Sequence, residues 1–363
     1  MINVDGKTLM KGVFRMLFEH IMGYYLSMTF SYGLWSVDMP IAPRTVFEDW
    51  IKNFEPEPAR EHWLVTAIMK WAYKDASKAK RLGYPRAHST PDQFRDYEFN
   101  AAYLYFINLK ISGVDLSVFD GKEVLDVGCG RGGKTIYIAQ NTKLKSIHGF
   151  DVPAVFKPED AERYAKAKGV SNCTFSLGYG EDMKFADNSF DLVVSDDVIE
   201  HVDDPERVFQ EVYRVLRPAG LAIMKFPSYK MVTGHHYDGV LNLPGLQYLL
   251  PYSTWAAGLN YLLSRPEFAG QYDALPRAVS TKYHPNITPI LNGIDFKGAK
   301  QAIAKTDFEV IQLSMFPYFI NLARHSETLL RKSALFVYNK VLPVLGLQEL
   351  VSTQIVFVGR KPN

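Results

Sequence analysis

The feature that most constrains the fold of this chain is a regular alternation of apolar runs and amphipathic stretches between residues 116 and 227. Five apolar runs predict strands: KEVLDVGC, KSIHGFDV, CTFSLG, FDLVVSDD and GLAIMKFP. The stretches KTIYIAQN, EDAERYAKAKG and PERVFQEVYRVLR predict helices, and RPAG (217–220) predicts a turn before the fifth strand. Strands that are apolar along their whole length are buried on both faces, as in a parallel sheet that helices cover. We therefore predict a doubly wound, Rossmann-like α/β core.

The segments on either side of this core differ from it in composition. Residues 1–115 are rich in aromatic side chains and are predicted to form a helical extension that acts as a substrate lid. Residues 228–305 are rich in proline, glycine and tyrosine and are predicted to form a helical insertion that lines an acceptor pocket. Two further β-like runs, 308–316 and 353–360, lie in the closing segment 306–363. We therefore predict that the core of residues 116–227 is completed to a mostly parallel seven-stranded sheet.

The composition is that of a globular protein with ample material for a core. Of the 363 residues 47% are hydrophobic, and 41 basic against 39 acidic residues leave a net charge of +2. Because the chain has neither a strong positive charge nor a basic stripe, a nucleic-acid partner is not expected. The two cysteines, Cys129 and Cys173, lack the spacing of a zinc site or a disulfide framework. We therefore predict a cytoplasmic protein without a bound metal.

Two long uncharged stretches raise the question of membrane contact. Residues 20–37 and 241–263 carry no formally charged side chain, but polar residues dilute the first and prolines and glycines interrupt the second. Both are predicted to be buried helices and loops around an apolar substrate chamber rather than spanning helices. Peripheral contact with a membrane surface remains the alternative. The N-terminus lacks the basic region and short apolar core of a secretion signal.

The strongest local signal is the sequence VLDVGCGRGG (124–133), in which a buried strand runs into a glycine-rich turn and then a helix. Gly128 and Gly130 let the backbone approach a ligand closely. The N-terminus of the following helix supplies oriented N–H donors. A turn of this kind, at the carboxyl end of a parallel strand, is where open α/β sheets bind ligands. The motif therefore predicts a cofactor site.

Two kinds of cofactor compete for this turn. Gly128, Gly130 and Gly133 form the pattern GxGxxG, and Asp151 lies 18 residues beyond the last of them, as in a dinucleotide site. However, Asp126 precedes the first glycine by two residues, and its carboxylate would repel a pyrophosphate. The same carboxylate suits a ligand that carries an ammonium and a sulfonium group. Electrostatics therefore favours a cationic cofactor.

The motif VLDVGCGRGG resembles motif I of class I S-adenosylmethionine (SAM)-dependent methyltransferases. The resemblance continues to about residue 227 through GYGEDMKFADNSFDLVVSDDVIEHVDDPERVFQEVYRVLRPAGLAIMKFP, which is similar to the ubiquinone/menaquinone-type (type 11) subgroup. It implies SAM as the cofactor and Asp151 as the ligand of both ribose hydroxyls. The cofactor-binding residues that we predict are Asp126, Gly128, Cys129, Gly130, Asp151, Val152, Gly180, Glu181, Asp182, Met183, Ser195 and Asp196.

The chain departs from the subgroup at the adenine end of this site. Tyr179 stands where the subgroup usually has the aspartate that contacts adenine. Either Glu181 or Asp182 is expected to take over the hydrogen bond to the adenine amino group, with Met183 packed on the ring. Ser195 and Asp196 end the fourth strand, beside the expected methionine moiety.

The acceptor side is predicted from histidines and aromatic residues. His201 matches a histidine that is common in the subgroup, and His235 and His236 follow the fifth strand, so all three are candidate bases. The aromatic residues of the extension and the insertion favour a small apolar acceptor, such as a natural product, a quinone or a lipid, methylated at oxygen or carbon. A NAD(P)-dependent oxidoreductase and a non-catalytic SAM-binding regulator remain the alternatives.

Overall fold

The computed structural model describes residues 91–153, 156–231, 248, 291–317 and 336–363. Within them seven strands form one sheet: β1 (Glu123–Val127), β2 (Ser146–Asp151), β3 (Cys173–Leu177), β4 (Phe190–Asp196), β5 (Leu216–Phe226), β6 (Glu309–Pro317) and β7 (Ser352–Arg360). The α-helices of these ranges are α1 (Pro91–Ala101), α2 (Tyr103–Ile111), α3 (Gly133–Asn141), α4 (Pro158–Ala167), α5 (Pro205–Val215) and α6 (Phe296–Ile303). His235, His236 and most of the predicted extension and insertion lie outside the described residues.

The sheet has the strand order β3-β2-β1-β4-β5-β7-β6. Strands β1 to β5 pair in parallel, whereas β7 pairs antiparallel with both β5 and β6. This confirms the predicted mostly parallel, seven-stranded, doubly wound sheet. Since the chain winds outward in opposite directions from β1 and from β4, the order reverses between these two neighbours. Open α/β sheets bind their ligands at such a switch point.

Both faces of the sheet are covered, as the continuous apolar strands predicted. In β1, Val124 packs into one hydrophobic cluster together with Ile136 of α3, and Leu125 packs into a second cluster with Phe209 of α5. Successive strand residues point to opposite faces, which is why adjacent positions belong to different clusters. Burial of each large side chain contributes about 1.5–3 kcal/mol to folding. The glycine turn and the switch point therefore belong to a sheet that has a hydrophobic core on each of its two faces.

The connection between α5 and β5 differs from the prediction. RPAG (217–220) was expected to form a turn before the strand, but β5 already begins at Leu216 and includes these residues. Ala219 has a φ of 61°, and the register with β4 shifts where the chain bulges. The backbone of Ala219 and Gly220 pairs with Lys361 near the C-terminus, with N–H to O distances of 2.9 Å. This long-range pairing extends the strand through a sequence with local turn propensity.

The uncharged stretches 20–37 and 241–263 lie outside the described residues, apart from Tyr248. None of the helices in the described ranges is long and apolar enough to cross a lipid bilayer. Peripheral membrane contact therefore stays a prediction.

Candidate cofactor-binding site

An open cleft lies at the carboxyl ends of β1, β2 and β4, beside the switch point of the sheet. Its walls come from the glycine turn, from the ends of β2 and β3, and from the segment after β4. The residues that line it are Val127, Gly128, Phe150, Asp151, Val152, Gly178, Tyr179, Gly180, Glu181, Val198, His201, Val202 and Asp203. The structure thus brings together six of the predicted cofactor residues or candidate bases: Gly128, Asp151, Val152, Gly180, Glu181 and His201.

The glycine turn has a backbone that other residues adopt only with strain. Gly128 and Gly130 have φ values of +73° and +63°, in the left-handed region. A Cβ atom on Gly128 would overlap the side chain of Val198, which forms the opposite wall of the cleft. The turn is anchored because the N–H groups of Gly128 and Cys129 both donate to the carbonyl of Phe150 at 3.0 Å. The missing side chain at Gly128 therefore keeps the cleft narrow but open.

Asp151 ends β2 and presents its carboxylate at the base of the turn. Its Oδ2 accepts the N–H of Gly130 at 2.7 Å, and its Oδ1 accepts the N–H of Val152 at 2.7 Å. Burial raises the pKa of Asp151 to about 6, although both N–H bonds act in the opposite direction. Each carboxylate oxygen has more than one acceptor position, so the group can accept further hydrogen bonds from ligand hydroxyls.

A cluster of buried charges lies behind the turn. Asp126 is wholly buried, and its Oδ2 accepts the hydroxyl of Thr135 at 2.6 Å. Lys134 Nζ lies 3.5 Å from Asp126 Oδ1 and 4.0 Å from Asp196 Oδ2, and Lys225 Nζ lies 2.7 Å from Asp196 Oδ1. The two lysines compensate much of the carboxylate charge, so Asp126 repels an anion less than the sequence alone predicts.

At the predicted adenine end, the two acidic candidates lie in different environments. Glu181 lines the cleft, and its Oε1 accepts the N–H of Asp203 at 2.8 Å. Burial raises the pKa of Glu181. Asp182 is exposed and pairs with Lys184 at 2.6 Å, and neither Asp182 nor Met183 lines the cleft. The geometry thus favours Glu181 for a contact with the base.

Two predicted cofactor residues lie in the core instead of the cleft. Ser195 is buried, and its hydroxyl donates to the carbonyl of Val127 at 3.0 Å, which ties β4 to β1. Cys129 is also buried, and burial raises the pKa of its thiol well above the usual value. Asp196 likewise does not line the cleft but belongs to the charge cluster behind it. Ser195, Cys129 and Asp196 therefore lie next to the cleft without lining it.

His201 is the candidate base that the structure describes. It ends a short 3-10 turn, Ile199–His201, and its Nε2 lies 3.6 Å from Glu200 Oε1. The turn is held by Asn292, whose Nδ2 donates to the carbonyls of Ile199 at 2.6 Å and Val202 at 2.8 Å. Asn292 lies within the predicted acceptor-pocket segment, 228–305, but was not predicted as a site residue. It links that segment to the histidine.

Two further residues that sequence analysis missed come from the helices before β1. Glu98 of α1 accepts N–H groups of the glycine turn. Tyr105 of α2 is buried with its ring over Lys134, the ammonium lying 5.5 Å from the ring centre. Neither residue belongs to a recognisable sequence motif. The sequence indicated only that helices precede the glycine-rich strand.

This strand order, with a glycine turn after β1 and a carboxylate at the end of β2, defines the domain as a class I SAM-dependent methyltransferase fold. The family model described as "Methyltransferase domain" matches residues 125–224, and this segment belongs to that family. Sterol 24-C-methyltransferase from Aspergillus fumigatus is 36% identical over 126 residues, which are 34% of this chain and 31% of that protein.

Other relatives match a similar share of the chain. An uncharacterized methyltransferase of Mycobacterium sp. (strain KMS) is 33% identical over 34% of this chain and 46% of its own. Phosphoethanolamine N-methyltransferase 2 of Caenorhabditis elegans is 32% identical over 33% of this chain and 27% of its own length. The chain thus matches less than half the length of these relatives. A solved geranyl diphosphate methyltransferase aligns over 68% of this chain and 82% of its own at 16% identity, with a TM-score of 0.39.

SAM is the cofactor of this class, and the described residues fit it. Gly128 leaves a space that a Cβ atom would close, and Asp151 offers acceptors for the ribose hydroxyls. Within the described part of the chain, the buried Tyr105 Oη has no hydrogen-bond partner, whereas Asp126 Oδ1 is paired with Lys134 behind the turn.

Proposed function

We propose that this protein transfers a methyl group from SAM to a small apolar acceptor, at oxygen or carbon. The observation that carries the proposal is a single cleft lined by the glycine turn, Asp151 and His201. The first two suit the nucleoside, and the third is a candidate base in the same cleft. The dinucleotide alternative is disfavoured because the family of residues 125–224 is a methyltransferase family.

The apolar nature of the acceptor is supported by two observations. Several relatives that match about a third of this chain are sterol 24-C-methyltransferases. In addition, the segments that flank the domain, 1–115 and 228–305, are rich in aromatic residues that suit an apolar chamber. The expected partner is therefore a small apolar molecule rather than a nucleic acid. The buried, unpaired Cys129 and Cys173 agree with a cytoplasmic location, at which membrane contact would give access to a lipid-like acceptor.

Bound SAM supplies a methyl group that is activated because it is carried by a sulfonium. The leaving group of the transfer is the neutral thioether that remains. The contribution of the chain is to hold this donor rigidly through the glycine turn and Asp151, so that an acceptor in the same cleft is aligned for in-line displacement. Alignment of two reactants can supply on the order of 7–11 kcal/mol of the barrier.

A hydroxyl or phenol acceptor must also lose a proton. His201 is the described base candidate, and its Nε2 lies 3.6 Å from Oε1 of Glu200, whose pKa burial raises well above its usual value. His235 and His236 are the other candidates for this role. Replacing the true base by alanine is expected to lower kcat without weakening SAM binding.

The test uses the purified full chain, methyl-labelled SAM and an extract of the source cells that is partitioned into organic and aqueous phases. We expect label in the organic phase, and less of it for Asp151→Asn, which should bind SAM more weakly. Label in the aqueous phase alone would overturn the apolar acceptor while keeping methyl transfer. If SAM binds and no label moves, the non-catalytic alternative is supported. The matched control is Asp120→Asn, an aspartate at the opposite edge of the sheet, near the start of β1.

A further inference from the structure

We propose that Glu98 of α1 is a positioning residue for the cofactor: its carboxylate holds the backbone of the glycine turn in the conformation that binds SAM. This inference rests on SAM being the cofactor of the site and assigns part of that site to the segment before the methyltransferase domain. It adds a side chain that lies outside the matched residues 125–224.

The carboxylate is bonded to the backbone of the turn at two residues. Glu98 Oε1 and Oε2 accept the N–H of Arg131 at 3.2 and 3.1 Å, and Oε2 accepts the N–H of Gly133 at 3.2 Å. These N–H groups lie at the N-terminus of α3, where no carbonyl of the helix can pair with them. Glu98 therefore supplies from another helix what an N-cap side chain normally supplies locally.

Helix α1 also binds the carbonyl group of Arg131. The Nε of Arg95, one helical turn before Glu98, donates to the Arg131 carbonyl at 2.9 Å. Arg95 is itself buried and paired with Asp92 at 2.7 Å. Because both the N–H and the C=O of Arg131 are held by α1, the peptide planes on either side of Arg131 cannot rotate without breaking these contacts.

The glycines of the motif are required by α1 as well as by the ligand. A Cβ atom on Gly130 would lie 2.5 Å from Glu98 Oε1. A Cβ atom on Gly133 would overlap the Arg95 carbonyl oxygen and lie 2.7 Å from Glu98 Cβ. The third glycine of the GxGxxG pattern is thus explained by close packing of α1 against the start of α3.

The position of Glu98 also bears on which cofactor the turn accepts. The N-terminus of a helix normally attracts a phosphate through its free N–H groups. Here two of those donors are already satisfied by an internal carboxylate, whose charge would oppose a second anion. The turn is therefore better suited to a cofactor without phosphates than its glycine pattern suggests.

Charge on Glu98 is needed for this role, and its titration gives a second readout. Burial raises the pKa of Glu98 to about 7, whereas the Arg131 and Gly133 N–H groups and Lys134 lower it and Asp151 raises it. The ionised form is the better acceptor, so SAM affinity should fall as the pH drops below about 7 and Glu98 becomes protonated.

The test compares Glu98→Gln and Glu98→Ala with Asp96→Asn in the full chain. Asp96 lies in the same helix but accepts the hydroxyl of Tyr164, at 2.6 Å, and is not bonded to the turn. Readouts are the Kd of SAM by calorimetry, kcat, KM for SAM, Tm without ligand, and the pH dependence of Kd. For Glu98→Gln we expect Kd and KM to rise about tenfold with kcat within about twofold. Asp96→Asn should bind SAM like the wild type.

Three results separate the inference from its alternatives. The inference is supported if Glu98→Gln loses the part of the pH dependence near 7 while its Tm stays within a few degrees of the wild type. It is overturned if Glu98→Gln binds SAM as tightly as the wild type, or if kcat and Tm fall while KM rises and the pH profile is unchanged. A wild type that binds no SAM would overturn the proposed function itself.

Discussion

The glycine turn after β1 and the His201 turn after β4 lie at the same edge of the sheet but are held in different ways. The glycine turn is anchored by the neighbouring strand, through the Phe150 carbonyl. The His201 turn is held by Asn292, which comes some 90 residues later in the chain. The cofactor half of the site is therefore built mainly within the domain. The turn that holds His201 depends on Asn292, within the predicted insertion, so we expect that this half can vary without disturbing cofactor binding.

The largest expected effect comes from breaking the glycine turn with Gly128→Ala. The new methyl group would overlap Val198 and would require a φ near +73°, so we expect SAM affinity to fall by more than about 100-fold and the fold to lose about 1–3 kcal/mol. The matched control is Gly169→Ala, where φ is +72° and no atom lies within 4 Å of the new methyl. That variant should lose only about 1–2 kcal/mol and bind SAM normally. If Gly169→Ala lost as much SAM affinity as Gly128→Ala, the loss would not be specific to the glycine turn.

The second prediction concerns Asp151, which contributes only to the cofactor half. Asp151→Asn should weaken SAM binding by about 10- to 100-fold, because a charged acceptor of hydroxyl hydrogen bonds is lost. Burial raises the pKa of Asp151 to about 6, so the carboxylate becomes protonated as the pH falls through that value. Wild-type SAM affinity should therefore decline below about pH 6, in addition to the Glu98 effect near 7. The measurement is SAM Kd from pH 5 to 8, and an unchanged slope below pH 6 in Asp151→Asn would contradict the assignment.

The third prediction separates the two halves directly. Asn292→Ala removes the bonds to the Ile199 and Val202 carbonyls, so the His201 turn should shift while the glycine turn stays in place. We expect kcat to fall about tenfold and stability to fall by about 1–3 kcal/mol, with SAM Kd within about twofold. Asn141→Ala, which removes an exposed bond to the Tyr137 carbonyl, is the control and should change neither. If SAM binding fell as far as kcat, the two halves would be one unit.

The same contrast explains how much of the molecule could be predicted from the sequence. The strands, the helices of the core and the glycine turn were predicted because each is encoded by consecutive residues. Glu98 and Asn292 were not, because their partners lie 33 and about 90 residues away. RPAG was wrongly assigned to a turn because its pairing with Lys361 is also a long-range contact. Local patterns therefore predict the cofactor site, whereas the contacts that support it depend on tertiary structure.

The smallest expected effect concerns the adenine end of the site, where the chain departs from its subgroup. It tests which acidic residue contacts the adenine amino group. Glu181 lines the cleft and Asp182 points to solvent beside Lys184, so only the first should matter to SAM. Glu181→Gln should raise SAM Kd by about 3- to 10-fold, since one charge-assisted hydrogen bond to the adenine amino group becomes neutral. Asp182→Asn, its direct neighbour and matched control, should leave Kd unchanged. Competition with analogues provides the check: purine nucleosides that lack the exocyclic amino group should bind wild type and Glu181→Gln about equally. A larger loss for Asp182→Asn would mean that the loop rearranges when SAM binds, and that the adenine end, like the His201 turn, is not fixed by the core alone.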